Sequence, residues 1–162
     1  MKRFLPILLG LIITVSFSQN LFAQTPTSSA IQTQMALSGD VEVDIKKATV
    51  KDDILTFIFV FRNTGTKDAN INHDVANIYY IDKTENKKYH VLKDDQKKYI
   101  AAPVAHGKIG YHNYAHYTKP VVIAGGAKKI MWFKFPAPPA AVNKVDLILP
   151  EVLPFEDLPI TR

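Results

Sequence analysis

Between Val104 and Thr118 the chain reads V-A-H-G-K-I-G-Y-H-N-Y-A-H-Y-T. Three histidines (His106, His112, His116) and three tyrosines (Tyr111, Tyr114, Tyr117) crowd into this stretch. Neutral imidazoles bind Cu(II), Ni(II) or Zn(II), so His106, His112 and His116 are the candidate metal ligands. On a helix His112 and His116 would share a face, but Asn113 stands where a helix-borne zinc protease carries its glutamate base. On a single strand the three even-numbered histidines would share a face. No Asp or Glu lies within the stretch to orient an imidazole from behind. The tyrosines allow a second chemistry. Tyr111, Tyr114 and Tyr117, with Asn113, are the candidate ligand-binding residues, an aromatic platform with polar tips for a sugar or peptide. The spacing favours a plainer arrangement over both: a hairpin or loop whose tyrosines pack on the edge of the fold.

Elsewhere the chain offers little to catalysis. It has no cysteine nucleophile, no G-x-S-x-G, no Ser/His/Asp order and no phosphate loop, so a non-catalytic protein without a cofactor is expected. Asp52-Asp53 and Asp94-Asp95 read as turns, since calcium needs more converging oxygens. Phe155-Glu156-Asp157 sits between prolines and reads as a docked tail. Trp132, the sole tryptophan, is expected as a core anchor between Met131 and Phe133.

The elements that must position these residues begin after a leader. Met1-Lys2-Arg3, the apolar run from Phe4 to Val15 and the exit to Ala23 have the order of a secretory signal peptide over 1–23. The run is short and broken by Pro6 and Gly10, which argues against a transmembrane anchor in the mature chain. Cleavage after Ala23 gives a mature chain starting at Gln24, periplasmic or secreted. Without cysteine there is neither lipid attachment at the signal nor a disulfide, and burial alone must hold the fold. The formal charge of +5 falls to +3 when Lys2 and Arg3 leave. The lysines are scattered in pairs rather than gathered into a basic stripe, which argues against nucleic acid. A protein of the envelope or outside the cell is the expected partner.

Residues 24–39 are rich in Thr, Ser, Gln and Ala and read as a flexible leader, with a little helix around Ile31 to Leu37. From residue 40 to 162 the pattern is that of strands. Val41, Val43 and Ile45 alternate with charge. Ile54 to Arg62 (I-L-T-F-I-F-V-F-R) is apolar on both faces, as a central strand is, with Leu55, Phe57, Phe59 and Phe61 on one side. Further strands are expected at Ala76 to Ile81, Lys88 to Leu92, Lys98 to Ala101, Ala127 to Phe135 and Lys144 to Leu149. Short strands at regular spacing, with turn residues between them, make the fold all-β, an immunoglobulin-like antiparallel β-sandwich.

Four phrases carry a resemblance: F-R-N-T-G at Phe61 to Gly65, I-Y-Y-I-D-K-T-E-N-K-K-Y-H-V-L-K-D-D at Ile78 to Asp95, W-F-K-F-P-A-P-P at Trp132 to Pro139, and V-D-L-I-L-P-E-V-L-P-F-E-D-L-P-I at Val145 to Ile160. From about Val41 to Ile160 the chain resembles a family of uncharacterised bacterial exported domains with an immunoglobulin-like sandwich. The resemblance implies that fold and an exported location. It brings no catalytic residues, and the stretch Ala105 to Thr118 is longer and richer in His and Tyr than the family pattern.

Overall fold

The computed structural model describes residues 29–71, 73–109, 113–117 and 121–162, with the backbone alone over 105–109 and 113–117. Residues 1–28, which include the expected signal peptide, lie outside the described residues. Among the described residues thirteen strands run in order: β1 (Gln32–Met35), β2 (Val41–Lys51), β3 (Ile54–Asn63), β4 (Ala69–Ile71), β5 (Tyr79–Asp82), β6 (Lys87–His90), β7 (Ala101–Ala102), β8 (Ala105–Ile109), β9 (Asn113–Tyr117), β10 (Val121–Ile123), β11 (Lys128–Pro136), β12 (Lys144–Ile148) and β13 (Phe155–Pro159). A five-stranded sheet has the order β1-β2-β3-β11-β7, and a four-stranded sheet the order β13-β12-β5-β6. Two smaller pairs, β10-β4 and β8-β9, complete an antiparallel immunoglobulin-like β-sandwich.

Period-two patterning decides what lies inside. On β3 the odd-numbered Leu55, Phe57, Phe59 and Phe61 are fully buried, and β3 is central, as expected from its sequence. Its neighbour β11 buries Met131, Phe133 and Phe135. Phe57 meets Phe135, and Phe59 meets Phe133, edge to face at 5.5 Å. Such pairs add about 0.5–1.5 kcal/mol each beyond area burial. The second sheet contributes Tyr80, Val145, Leu147, Phe155 and Leu158 to the same core. Tyr80 spans the two layers: its ring meets Phe135, and its hydroxyl donates to the Pro136 carbonyl at 2.8 Å. Burial pushes that phenol above the usual tyrosine range.

Two expectations change here. Within 24–39, residues 32–35 are not a flexible leader or a helix but β1, paired with β2 from Gln32↔Ile45 to Met35↔Glu42. The cross-strand hydrogen bonds of β2's edge outweigh the weak local propensity of Q-T-Q-M. Trp132 is not a core anchor. It is half-buried on the outer face of β11, because Met131 and Phe133 take the inward positions and successive strand residues point to opposite faces.

The turn from β10 into β11 depends on Gly125 and Gly126. Gly126 has φ of +72°, and a Cβ on Gly125 would lie 2.4 Å from the Thr66 carbonyl oxygen. That turn sends β10 to pair with β4 instead of with β11, which follows it directly. Among the described residues, the side of β11 away from β3 therefore has no strand partner along its first residues.

Candidate binding surface

The outer face of the five-stranded sheet is set by register. Trp132 stands opposite Ile58, Ile130 opposite Val60, and Lys128 opposite Arg62. Ile130 is 66% exposed and, on β10, Val122 is 51% exposed. Between them lies a groove of about 410 Å³ lined by Ala102, Pro103, Val121, Val122, Lys129, Ile130 and Trp132. On the other side of Ile130 a second hollow of about 340 Å³ lies over Asp44, Lys46, Val60, Arg62 and Lys128.

The floor of that second hollow is an ion-pair cluster. Arg62 Nε donates to Asp44 Oδ2 and Nη2 to Oδ1, each at 3.0 Å, a two-pronged pair. Thr33 donates its hydroxyl to Asp44 Oδ1 at 2.8 Å, Lys46 Nζ lies 3.3 Å from Oδ2, and Glu42 also meets Arg62. The Arg62 guanidinium, against the opposing cost of burial, holds the Asp44 carboxyl down to about 2. Glu42 and Asp44 are thus spent on Arg62 and Lys46. By contrast Lys128, Lys129 and Lys134, all on β11, make no ion pair among the described residues. The surface is an apolar-aromatic centre with a cationic rim.

The candidates read from the sequence fall elsewhere. His106 is on β8 and His116 on β9, and the two are Cα partners across the hairpin; they are not on a single strand. The two stand on different strands, so the even-number rule for one strand does not apply. Tyr114 pairs with Lys108, and Tyr117 with Ala105. The side chains of these four, and His112 and Tyr111 entirely, lie outside the described residues. Among the described residues no group of three His, Asp or Glu side chains could hold a metal ion. In chain order the β8-β9 pair falls between β7 and β10, whose Ala102, Val121 and Val122 line the groove.

Sequence reasoning missed the groove because it assigned Trp132 inward. A usable signal was present: Lys128, Ile130, Trp132 and Lys134 have the same parity on one strand, and lysine at a core position is rare.

No family model matches this chain, and no curated protein matches it. Among solved structures it is similar to the carbohydrate-binding module CBM3b from the cellulosomal cellobiohydrolase 9A from Clostridium thermocellum, at 14% identity and a TM-score of 0.31, over 74% of this chain and 99% of that one.

Proposed function

We propose that this chain is an exported, non-catalytic binding protein of the bacterial cell envelope, and that it binds through the outer face of the five-stranded sheet around Trp132. The observation that carries the reading is the placement of Trp132, half-buried, in an apolar groove beside exposed Ile130 and Val122. A tryptophan held at a surface costs stability that burial would return, and large exposed apolar side chains gathered together mark interaction sites. Tryptophan also dominates the energetics of many binding surfaces. The signal-like residues 1–23 support export, and the resemblance to exported bacterial domains supports the envelope. The absence of any Ser/His/Asp order or cysteine in the sequence supports binding over catalysis.

The test is site-specific photo-crosslinking in intact cells, with a photoreactive phenylalanine analogue at position 122. A discrete envelope adduct, lost in Ile130→Glu and in Trp132→Ala, is the expected result. An adduct pattern identical in all three proteins would defeat the reading.

Metal binding is a second reading, favoured by one observation, the register that makes His106 and His116 Cα partners. Calorimetric titration with Cu(II), Ni(II) and Zn(II) tests it. One tight site, weakening as pH falls through about 6.5 and lost in a triple alanine variant of His106, His112 and His116, would establish it.

A further inference from the structure

On β11 the backbone groups alternate between two sides. Asn63 N–H donates to the Ala127 carbonyl, so odd-numbered residues face β3. Lys134 N–H donates to Ile100, and its carbonyl accepts from Leu92, so even-numbered residues face the other way. On that side β7 pairs only with Trp132 and Phe133. Lys128 and Ile130 therefore direct two N–H and two C=O groups toward the groove, with no strand opposite them among the described residues. An unpaired edge of this kind is a template for one more strand.

We propose that this free edge of β11, from Lys128 to Ile130, accepts an extended segment of a partner protein, with apolar and acidic side chains alternating, as an added strand. The inference rests on the binding role proposed above and supplies the partner's chemistry. Main-chain hydrogen bonds give affinity in such strand addition, and pockets for alternate side chains give selectivity. The apolar side chains of the segment pack on Ile130, Trp132 and Val122, which line the groove and are otherwise half-buried or exposed. Its carboxylates fall on the other face, with Lys129, and the adjacent Lys128 adds positive charge; neither lysine has a counter-charge among the described residues, although Lys46, Arg62 and Lys83 each have one.

The same two lysines argue against a second copy as the occupant. Edge-to-edge pairing about a two-fold axis would set the lysines of one copy beside those of the other, and like charges so placed are destabilising. An oligosaccharide fits less well than a peptide. Six of the seven lining residues other than Lys129 offer only the Trp132 indole N–H as a side-chain hydrogen-bonding group, and sugar hydroxyls left unpaired are costly to bury.

Because Trp132 is the sole tryptophan, its fluorescence reports on the groove in the full chain. Three end-blocked decapeptides serve as probes: alternating Val and Glu, alternating Val and Lys, and the Val–Glu peptide N-methylated at every second amide. A neutral hexasaccharide of glucose is the fourth. The Val–Glu peptide is expected to shift Trp132 emission saturably, and the lysine and N-methylated peptides to bind at least tenfold more weakly. Lys128→Glu combined with Lys129→Glu, two exposed positions, is expected to reverse the charge preference. Equal binding of the N-methylated peptide would overturn strand addition, and an unchanged preference in the double variant would overturn the acidic assignment. A response to the hexasaccharide alone would overturn the partner class and leave the surface standing. Silence with every probe overturns this inference alone if crosslinking at position 122 remains groove-dependent, and the binding role with it if that crosslink is also absent.

Discussion

Asp44 shows how a charged side chain sits under a sheet face at low cost. It is almost wholly buried, yet both oxygens are engaged by Arg62, with Thr33 and Lys46 beside them. Its carboxyl is held at about 2, below the ordinary 3.8, chiefly by Arg62. The folded form thus binds its proton more weakly than the unfolded form. The stabilisation is complete above the ordinary carboxylate range and is lost as pH falls from about 4 to about 2. It amounts to about 2 kcal/mol. Urea unfolding of Asp44→Asn is expected to show that loss at pH 7 and a shallower decline than the wild type below pH 4. Adjacent positions on β11 make a sharper contrast. Phe133→Ala empties a core site and should cost about 3–5 kcal/mol, whereas Trp132→Ala, on the outer face, should cost about 1 kcal/mol. Equal losses in thermal unfolding would mean that Trp132 serves the core.

Two chain ends act as elements that join the layers. Before β2, Leu37 N–H donates to the Glu151 carbonyl, and Met35 accepts from Leu153 N–H, so the β1 region clasps the loop after β12. At the other end β13 pairs with β12 and buries Phe155 and Leu158. The chain then crosses to the other sheet: Thr161 N–H donates to Ala48, and its carbonyl accepts from Val50. Arg162 finishes the seam, its guanidinium donating to the carbonyls of Pro138, Pro139 and Val142. The sequence shows Leu153, Phe155, Leu158 and Ile160 amid prolines, which predicts a docked tail with Phe155 in the core. Phe155, Leu158 and Ile160 are buried as expected, but Leu153 is 45% exposed. The prolines do not prevent a strand, because β13 lies at a sheet edge, where a missing N–H need not break the ladder. Deletion of residues 155–162 is expected to lower the unfolding free energy by several kcal/mol, since Phe155 and Leu158 alone bury about 4–5 kcal/mol of apolar side chain. A truncated protein melting with the full chain would show that the seam contributes nothing.

For the whole molecule, the lysines bear on solubility as well as on recognition. Lys87-Lys88 on the edge strand β6 and Lys128-Lys129 on β11 are exposed pairs, and charge so placed guards an edge against self-pairing. The proposal of export makes a separate prediction at this scale. Mass spectrometry of the protein from its cellular fraction should give a chain beginning at Gln24, with or without cyclisation of that glutamine. A product that retains Met1 in the exported fraction would contradict it.

What the sequence by itself determined is the layer structure: alternation in V-E-V-D-I and the doubly apolar run from Ile54 to Arg62 become β2 and the central β3, because side-chain period and burial are local consequences of an extended backbone. The strands expected at Ala76 to Ile81 and Lys88 to Leu92 contain β5 residues 79–81 and β6 residues 88–90, paired antiparallel, and the turn residues between them marked the hairpin. The candidate surface was not legible, since it is built from Ala102, Val122, Ile130 and Trp132, which stand on three different strands and meet only through the placement of those strands. Only the tertiary structure decided that β10 pairs with β4 and that, among the described residues, no strand lies along the first part of β11 on its side away from β3. Which of two apolar faces meets the core is likewise fixed by the opposing sheet, and that choice put Phe133 inside and Trp132 out.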